Sequence, residues 1–343
     1  MKGLLNLARC GFFVAVVALM FAIMGACKRP VRSTPAAPPG RPAASGPAVS
    51  QQASTAVLGG FKAEDPAFAE VVAEAAVIHQ VAAGYQFTEG PAWYGGKLVF
   101  SDIATDTIYQ WSPKQGASVF RRPSHDANGN TVDAQGRLIT CEQGSRSVTR
   151  TDKDGKVTTL ASSYAGHRLN SPNDVAVKSD GTVWFTDPSY GIKASQMEQE
   201  GCWVFRIDPG AKEPVPVIRD IPWPNGICFS PDERFLYVGN SDANDACVRR
   251  YVVHHDNTIG QSVIFVRILP GFPDGMRTDS VGRLYVTAGD GVQVFGPDGK
   301  RLGRILTPDA ATNCCLGGSD GQTLFITARP RVWMVELKVR SRK

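Results

Sequence analysis

The chain has 343 residues, 43% hydrophobic and 20% charged, which is enough for a substantial core and too apolar for a chain disordered along its whole length. Its formal charge of +5 arises at the leading end, where Lys2, Arg9, Lys28, Arg29, Arg32 and Arg41 supply six of the 37 basic residues and no acidic residue precedes Glu64. The remainder is close to neutral, which excludes nucleic-acid binding driven by a basic surface.

Lys2 and Arg9 precede an apolar, small-residue run from Cys10 to Cys27, the pattern of an export signal over residues 1–26. The run is short for a membrane-spanning helix. Its end, Ile23-Met24-Gly25-Ala26-Cys27, resembles the lipobox of bacterial lipoproteins, which implies cleavage before Cys27 and acylation of its sulfur. Residues 27–56 then hold the lipidated cysteine and a tether of Pro, Ala, Ser, Gly and Gln that cannot bury a core. The expected location is the cell envelope, with a lipid anchor in a membrane and the rest facing the periplasm or exterior.

Residues 57–343 read as one all-β domain, a six-bladed β-propeller with a short N-terminal helix. The helix is expected over Asp65 to Ala75, where Asp65-Pro66 supplies an N-cap and first turn ahead of Phe68, Val71 and Val72. Ala76 to Val81 is expected to pair with the last blade and close the ring. A short apolar strand preceded by a turn then recurs six times, with markers at Leu98, Leu138, Val183, Leu236, Leu284 and Leu324. Their spacings of 40, 45, 53, 48 and 40 residues suit a four-stranded blade.

About ten residues upstream of each marker stands an oxygen-bearing side chain: Glu89, Asn128, Asn173, Asn225, Asp274 and Asn313. Equal phase in a propeller means equal position, so all six should converge on the axis where the innermost strands begin. Two carboxylates and several amides gathered there need a hard cation as partner, with calcium the first choice among divalent metals and magnesium, zinc or manganese the others. None of the five histidines falls in this phase, and no cysteine pair has metal-type spacing. Beyond Cys10 and Cys27, the six cysteines sit in apolar strand patterns and should be mostly free thiols of the core, with room for one bridge. His125 and Asn128, at the start of the second blade, and Tyr190 and Trp223, in stretches between blades, are expected to line a substrate pocket. Asp174, beside Asn173, joins them.

The runs Glu89-Gly90-Pro91, Asn170-Ser171-Pro172-Asn173-Asp174, Phe185-Thr186-Asp187-Pro188, Asn225-Gly226 before Ser230-Pro231-Asp232, and Pro273-Asp274-Gly275 together resemble the gluconolactonase and regucalcin family of six-bladed propellers. The resemblance implies that Glu89, Asn225 and Asp274 hold a metal and that Asn173 adds an oxygen or holds substrate. It implies further that Asp274 doubles as catalytic base. Animal members carry an arginine two residues before the equivalent of Asn173 and an acidic residue further on; here Ser171 and Gly191 stand there, which brings the chain closer to bacterial members. The function so implied is metal-dependent hydrolysis of a small lactone or ester, with the metal polarising the carbonyl, water attacking and Asp274 or Asp174 taking its proton. Two other readings fit the same architecture: a lipid-tethered platform for a ligand or protein, with a structural metal, and a phosphoesterase at the same site.

Overall fold

The computed structural model describes residues 59–341, so the expected signal segment, Cys27 and the tether lie outside the described residues. The regular secondary structure of the described chain is almost entirely antiparallel strand, laid down in meanders in sequence order in the manner of a β-propeller. Recurring turn chemistry makes the meanders. Asp133 Oδ1 accepts from the backbone N–H groups of Gln135 and Arg137 around Gly136 at φ 73°, and Asp279 Oδ1 accepts from Val281 and Arg283 around Gly282 at φ 87°. Each carboxylate thus builds the turn that feeds a marker strand.

Those strands are apolar on both faces because both faces are covered: Leu138–Glu142, Val183–Asp187 and Leu284–Ala288 are buried at every residue. The core is correspondingly a chain of clusters between neighbouring sheets. Ile139, Cys141 and Val148 of one sheet pack with Phe185 and Phe205 of the next. Trp184 and Val204 of that sheet meet Ile227 and Leu236, and Tyr237 and Val248 meet Leu284 and Val286. None of the six cysteines of the described chain is in a disulfide, and all but the half-buried Cys202 are buried.

Two expectations are corrected. Five sheets of four or more strands are present among the described residues, where six separate blades were expected. The strand His79–Tyr94 is the cause. It begins at the outer edge of the last repeat, where His79 pairs with Met334, and ends innermost in the first repeat, where Trp93 pairs with Leu98, merging the two into one sheet. Within that sheet Thr323–Glu336 folds back on itself, so that Leu337 N–H donates to Gln322 O at 2.8 Å, with Arg329 at φ 52° in the turn. Its two repeats face each other, Leu98, Phe100 and Trp111 packing against Cys315, Phe325 and Val332.

The expected N-terminal helix is a single 3-10 turn, Pro66–Glu70. Asp65 caps it as expected, accepting from Ala67 N–H at 2.8 Å, but Phe68, Val71 and Val72 are drawn into the core and the backbone follows them instead of continuing as a helix. Ahead of it an unanticipated strand, Gly60–Ala63, covers the outer edge of Arg301–Leu306.

Trp333 lies fully buried where the chain closes on itself, opposite Gln80. Trp333→Ala is expected to cost about 3–5 kcal/mol in urea unfolding; a loss below about 1 kcal/mol would mean that closure is stabilised elsewhere.

Candidate active site at the mouth of the channel

The six oxygen-bearing residues do stand at the beginnings of the innermost strands, and successive ones touch. Gly129 N–H donates to Asn173 O at 2.8 Å, and a Cβ at Gly129 would lie 2.6 Å from that oxygen, so only glycine lets the two strands meet. Asp174 Oδ2 accepts from Ile227 N–H at 3.2 Å, just beyond Asn225. The Asn225 side chain stands beside the Asp274 carboxylate and favours its charged form. A Cβ at Gly275 would fall 2.0 Å from the Asn313 side chain, and Asn313 Nδ2 donates to Glu89 Oε2 at 3.1 Å. Asn130 Nδ2 donates to Gly90 O at 2.8 Å and closes the ring.

Hydroxyls from the marker strands hold this ring in place. Ser101 Oγ donates to Asn128 O at 2.8 Å, and Thr287 Oγ1 lies 2.8 Å from Gly275 O and 2.9 Å from Thr312 O. Thr327 Oγ1 donates to Asn313 O at 3.2 Å. Sequence reasoning missed these clamps, although a Ser or Thr three residues after the marker in four repeats was the signal.

The electrostatics are those of crowded acids. Glu89 is 4% exposed, and burial first, then the charges of Asp274 and Asp174, push its carboxyl well above the usual carboxylate range. Burial and the Asp174 charge push Asp274 up to about 7, against the influence of Asn225. Asn225 Nδ2 donates to Ser241 Oγ at 3.1 Å, while its Oδ1, like Asp174 Oδ1, is buried without a partner. Among the described residues no group of three or more His, Cys, Asp and Glu side chains stands ready-made for a metal. The donors here are instead a mixture of carboxylate and amide oxygens, and an unpartnered buried oxygen beside two carboxyls whose charges burial and mutual repulsion oppose is the environment a hard cation fits.

Around this cluster the substrate expectations fare unequally. Tyr190 and Trp223 stack with ring centroids 5.7 Å apart and planes 13° apart. The Tyr190 hydroxyl lies near Ser241 and Asp274, and burial raises its pKa. Asn128 and Asn173 are 4% and 7% exposed, and neither side-chain amide has a hydrogen-bond partner among the described residues. His125 is brought to the loop before Asn128 at φ 60°, but its ring is exposed and no hydrogen bond ties it to the carboxylates. The run Gly317-Gly318-Ser319-Asp320-Gly321 has the spacing of a serine-hydrolase elbow; it is a hairpin turn with Ser319 exposed, and not a strand-to-helix corner.

Arg277 is a further residue the sequence reading passed over. Lying on the innermost strand Met276–Thr278, it crosses the channel, Nη1 reaching Met276 O at 2.7 Å and Asp174 Oδ2 at 3.5 Å and Nη2 reaching Asn130 O at 3.4 Å. It is the only Lys or Arg in the six innermost strands, which was its signal. It also borders a cavity of about 640 Å³ lined by Trp93, Thr131, Phe229 and Thr278, at the opposite ends of the same strands and so away from the acids. Because Asp174 is 1% exposed, Arg277→Met strands a buried charge and is expected to cost about 3–5 kcal/mol in chemical denaturation. Adding Asp174→Asn should recover most of that loss; no recovery would mean that the arginine acts through packing.

With this geometry in hand, comparison with known proteins is informative. The family model described as SMP-30/Gluconolactonase/LRE-like region matches residues 87–329. A gluconolactonase of Zymomonas mobilis is 33% identical over 293 residues, 76% of this chain and 81% of that protein. A solved gluconolactonase of Xanthomonas campestris is 36% identical with a TM-score of 0.76, covering 81% of this chain and 94% of that one. A solved regucalcin of Agrobacterium tumefaciens, described as calcium-binding, is 18% identical with a TM-score of 0.65 over 77% of this chain and 94% of its own, a likeness of fold alone. The chain belongs to the SMP-30/gluconolactonase/LRE-like family.

Proposed function

We propose that this protein hydrolyses a small lactone at the mouth of the channel, as its gluconolactonase relatives do. The observation that carries the reading is the buried pair Glu89 and Asp274, each pushed toward holding a proton, around the unpartnered Oδ1 of Asn225. Glu89, Asn173, Asn225 and Asp274 are the residues that would hold a divalent cation, calcium by the all-oxygen character of the set. Such a cation, when bound, would polarise the lactone carbonyl.

The protein's own groups supply the rest. Asp274, whose ordinary charge is opposed by burial, takes the proton from the attacking water. Asn173 orients the reacting group through its unpartnered amide, and Asn128 helps to hold the substrate. Tyr190 stacked on Trp223 gives the pocket a flat, apolar wall. We read the ring as six-fold, counting the merged sheet as two blades; its two repeats packed face to face support that count. The leading segment supports export and a lipid anchor at Cys27, with residues 57–343 as the enzyme domain.

The test is hydrolysis of a panel of sugar and aliphatic lactones with chelator and with single divalent ions. Activity should vanish with chelator and return with one ion, and Glu89→Gln with Asp274→Asn should lower kcat/KM at least about 100-fold. Full activity in that double variant would overturn the mechanism.

A second expectation concerns the metal-free protein. Glu89 and Asp274 both have folded values above their unfolded ones, so the stability tied to their protonated forms is present in acid, below about pH 4, and is lost as pH rises, for Asp274 through about 7. Measured against the double variant, the wild-type melting temperature without metal should fall between these limits. Added calcium should raise it more at pH 8 than at pH 5, and an equal effect at both would show that the carboxyls do not take up the ion.

A further inference from the structure

Beside the ring stands a side chain that the mechanism above does not use. Gln143 opens the hairpin turn after Leu138–Glu142, and Arg146 N–H donating to Gln143 O at 3.2 Å holds that turn. On one side its N–H donates to Asp126 O at 3.2 Å, and Gly144 N–H donates to His125 O at 2.9 Å, tying the turn to the loop that delivers Asn128. On the other side it meets the segment that delivers Asn173. A Cβ at Gly191 would lie 2.5 Å from Ser171 Oγ, 2.9 Å from Gln143 Cβ and 3.0 Å from Gln143 Oε1, so Gly191 is bare because these two side chains fill its place. Gln143 is 7% exposed; no hydrogen bond joins its side-chain amide to another described residue, and neither amide atom is among the fully buried unpartnered ones, so the amide keeps contact with solvent.

Polar groups in folded proteins are almost always paired, so an amide held this way between the loop that leads to Asn128 and the segment that carries Ser171 is a binding group whose partner arrives from outside. Its chemistry says which partner. A carboxamide offers a donor and an acceptor on one rigid plane, which matches a pair of neighbouring hydroxyls. Ser171 stands behind it, fully buried, its hydroxyl oxygen accepting from Gly191 N–H at 2.8 Å and so fixing the glycine against Gln143. The cation on the same turn is turned away: Arg146 donates through Nε to Leu169 O at 2.5 Å and through Nη1 to Glu198 Oε1 at 3.1 Å. The turn therefore presents a neutral amide to a site already crowded with carboxylates, which suits an uncharged hydroxylated ring and disfavours a phosphorylated one.

We propose that Gln143 reads the ring hydroxyls of the substrate and sets a preference for hydroxylated lactones over unsubstituted ones, an inference that rests on the lactonase reading of the site. Gln143→Met fills the same space without the amide. Wild type and variant would be assayed on glucono-lactone and on valerolactone, a ring of the same size without hydroxyls, with thermal melting to verify the fold. The expected result is a KM for glucono-lactone raised about tenfold with kcat little changed, and valerolactone kinetics unaltered. Calorimetry with gluconate, which needs no turnover, should show the same weakening. Turnover with equal effects on both lactones, or none, would overturn the role of Gln143 while leaving the lactonase reading intact. Absence of turnover together with gluconate binding that weakens in Gln143→Met would remove the lactonase reading and leave Gln143 as a hydroxyl-binding residue.

Discussion

Glu89, Asp174 and Asp274 lie within one another's electrostatic field at one end of a closed ring of strands, and much of the surrounding structure answers to that crowding. Like charges in a poorly solvated space must share protons, find counter-charges or take up a cation. The protein shows the first two responses side by side. Glu89 and Asp274 are driven toward their neutral forms, while Asp174 faces the guanidinium of Arg277 and the N–H of Ile227. The third response is what the unpartnered oxygen of Asn225 leaves open.

Rigidity follows from how these groups are mounted. Each belongs to the first residues of an innermost strand, and those strands approach so closely that Gly129 and Gly275 have no room for a side chain. Hydroxyls of Ser101, Thr287 and Thr327 then hold neighbouring backbone carbonyls. A constellation fixed this way by backbone contacts can keep its oxygens converging even though their mutual repulsion would spread them. Loops carry the less constrained parts, Tyr190 and Trp223 on one side and Gln143 on another, so substrate choice can vary while the charged centre stays put.

Phase made much of this legible in the sequence. Glu89, Asn128, Asn173, Asn225, Asp274 and Asn313 could be aligned because a propeller repeats one geometry, and residues at equal distance before a buried Leu or Val must face the same axis. What escaped has physical causes too. The merging of the first and last repeats depends on where a strand bends; Gly84 at φ 92° marks the register break between Ala83 and Thr88, but a lone glycine does not say which sheet the strand joins on either side. The 3-10 turn looked like a helix because Phe68, Val71 and Val72 have helical spacing, whereas their burial in the last sheets decided the backbone. Arg277 and Gln143 fall outside the repeated phase, and their roles come from contacts between residues more than a hundred positions apart or across three separate loops.

The pairing of His79 with Met334 also bears on the order in which the molecule can assemble. During synthesis the segment that begins the first repeat leaves the ribosome some 250 residues before the strand it must lie against. Until that strand appears, the sheet that starts at Thr88 has an open edge, and the ring of oxygens has a gap between Asn313 and Glu89. The middle repeats can form their local meanders early, but the acidic centre becomes a closed chamber only at the end, when the two termini of the domain meet.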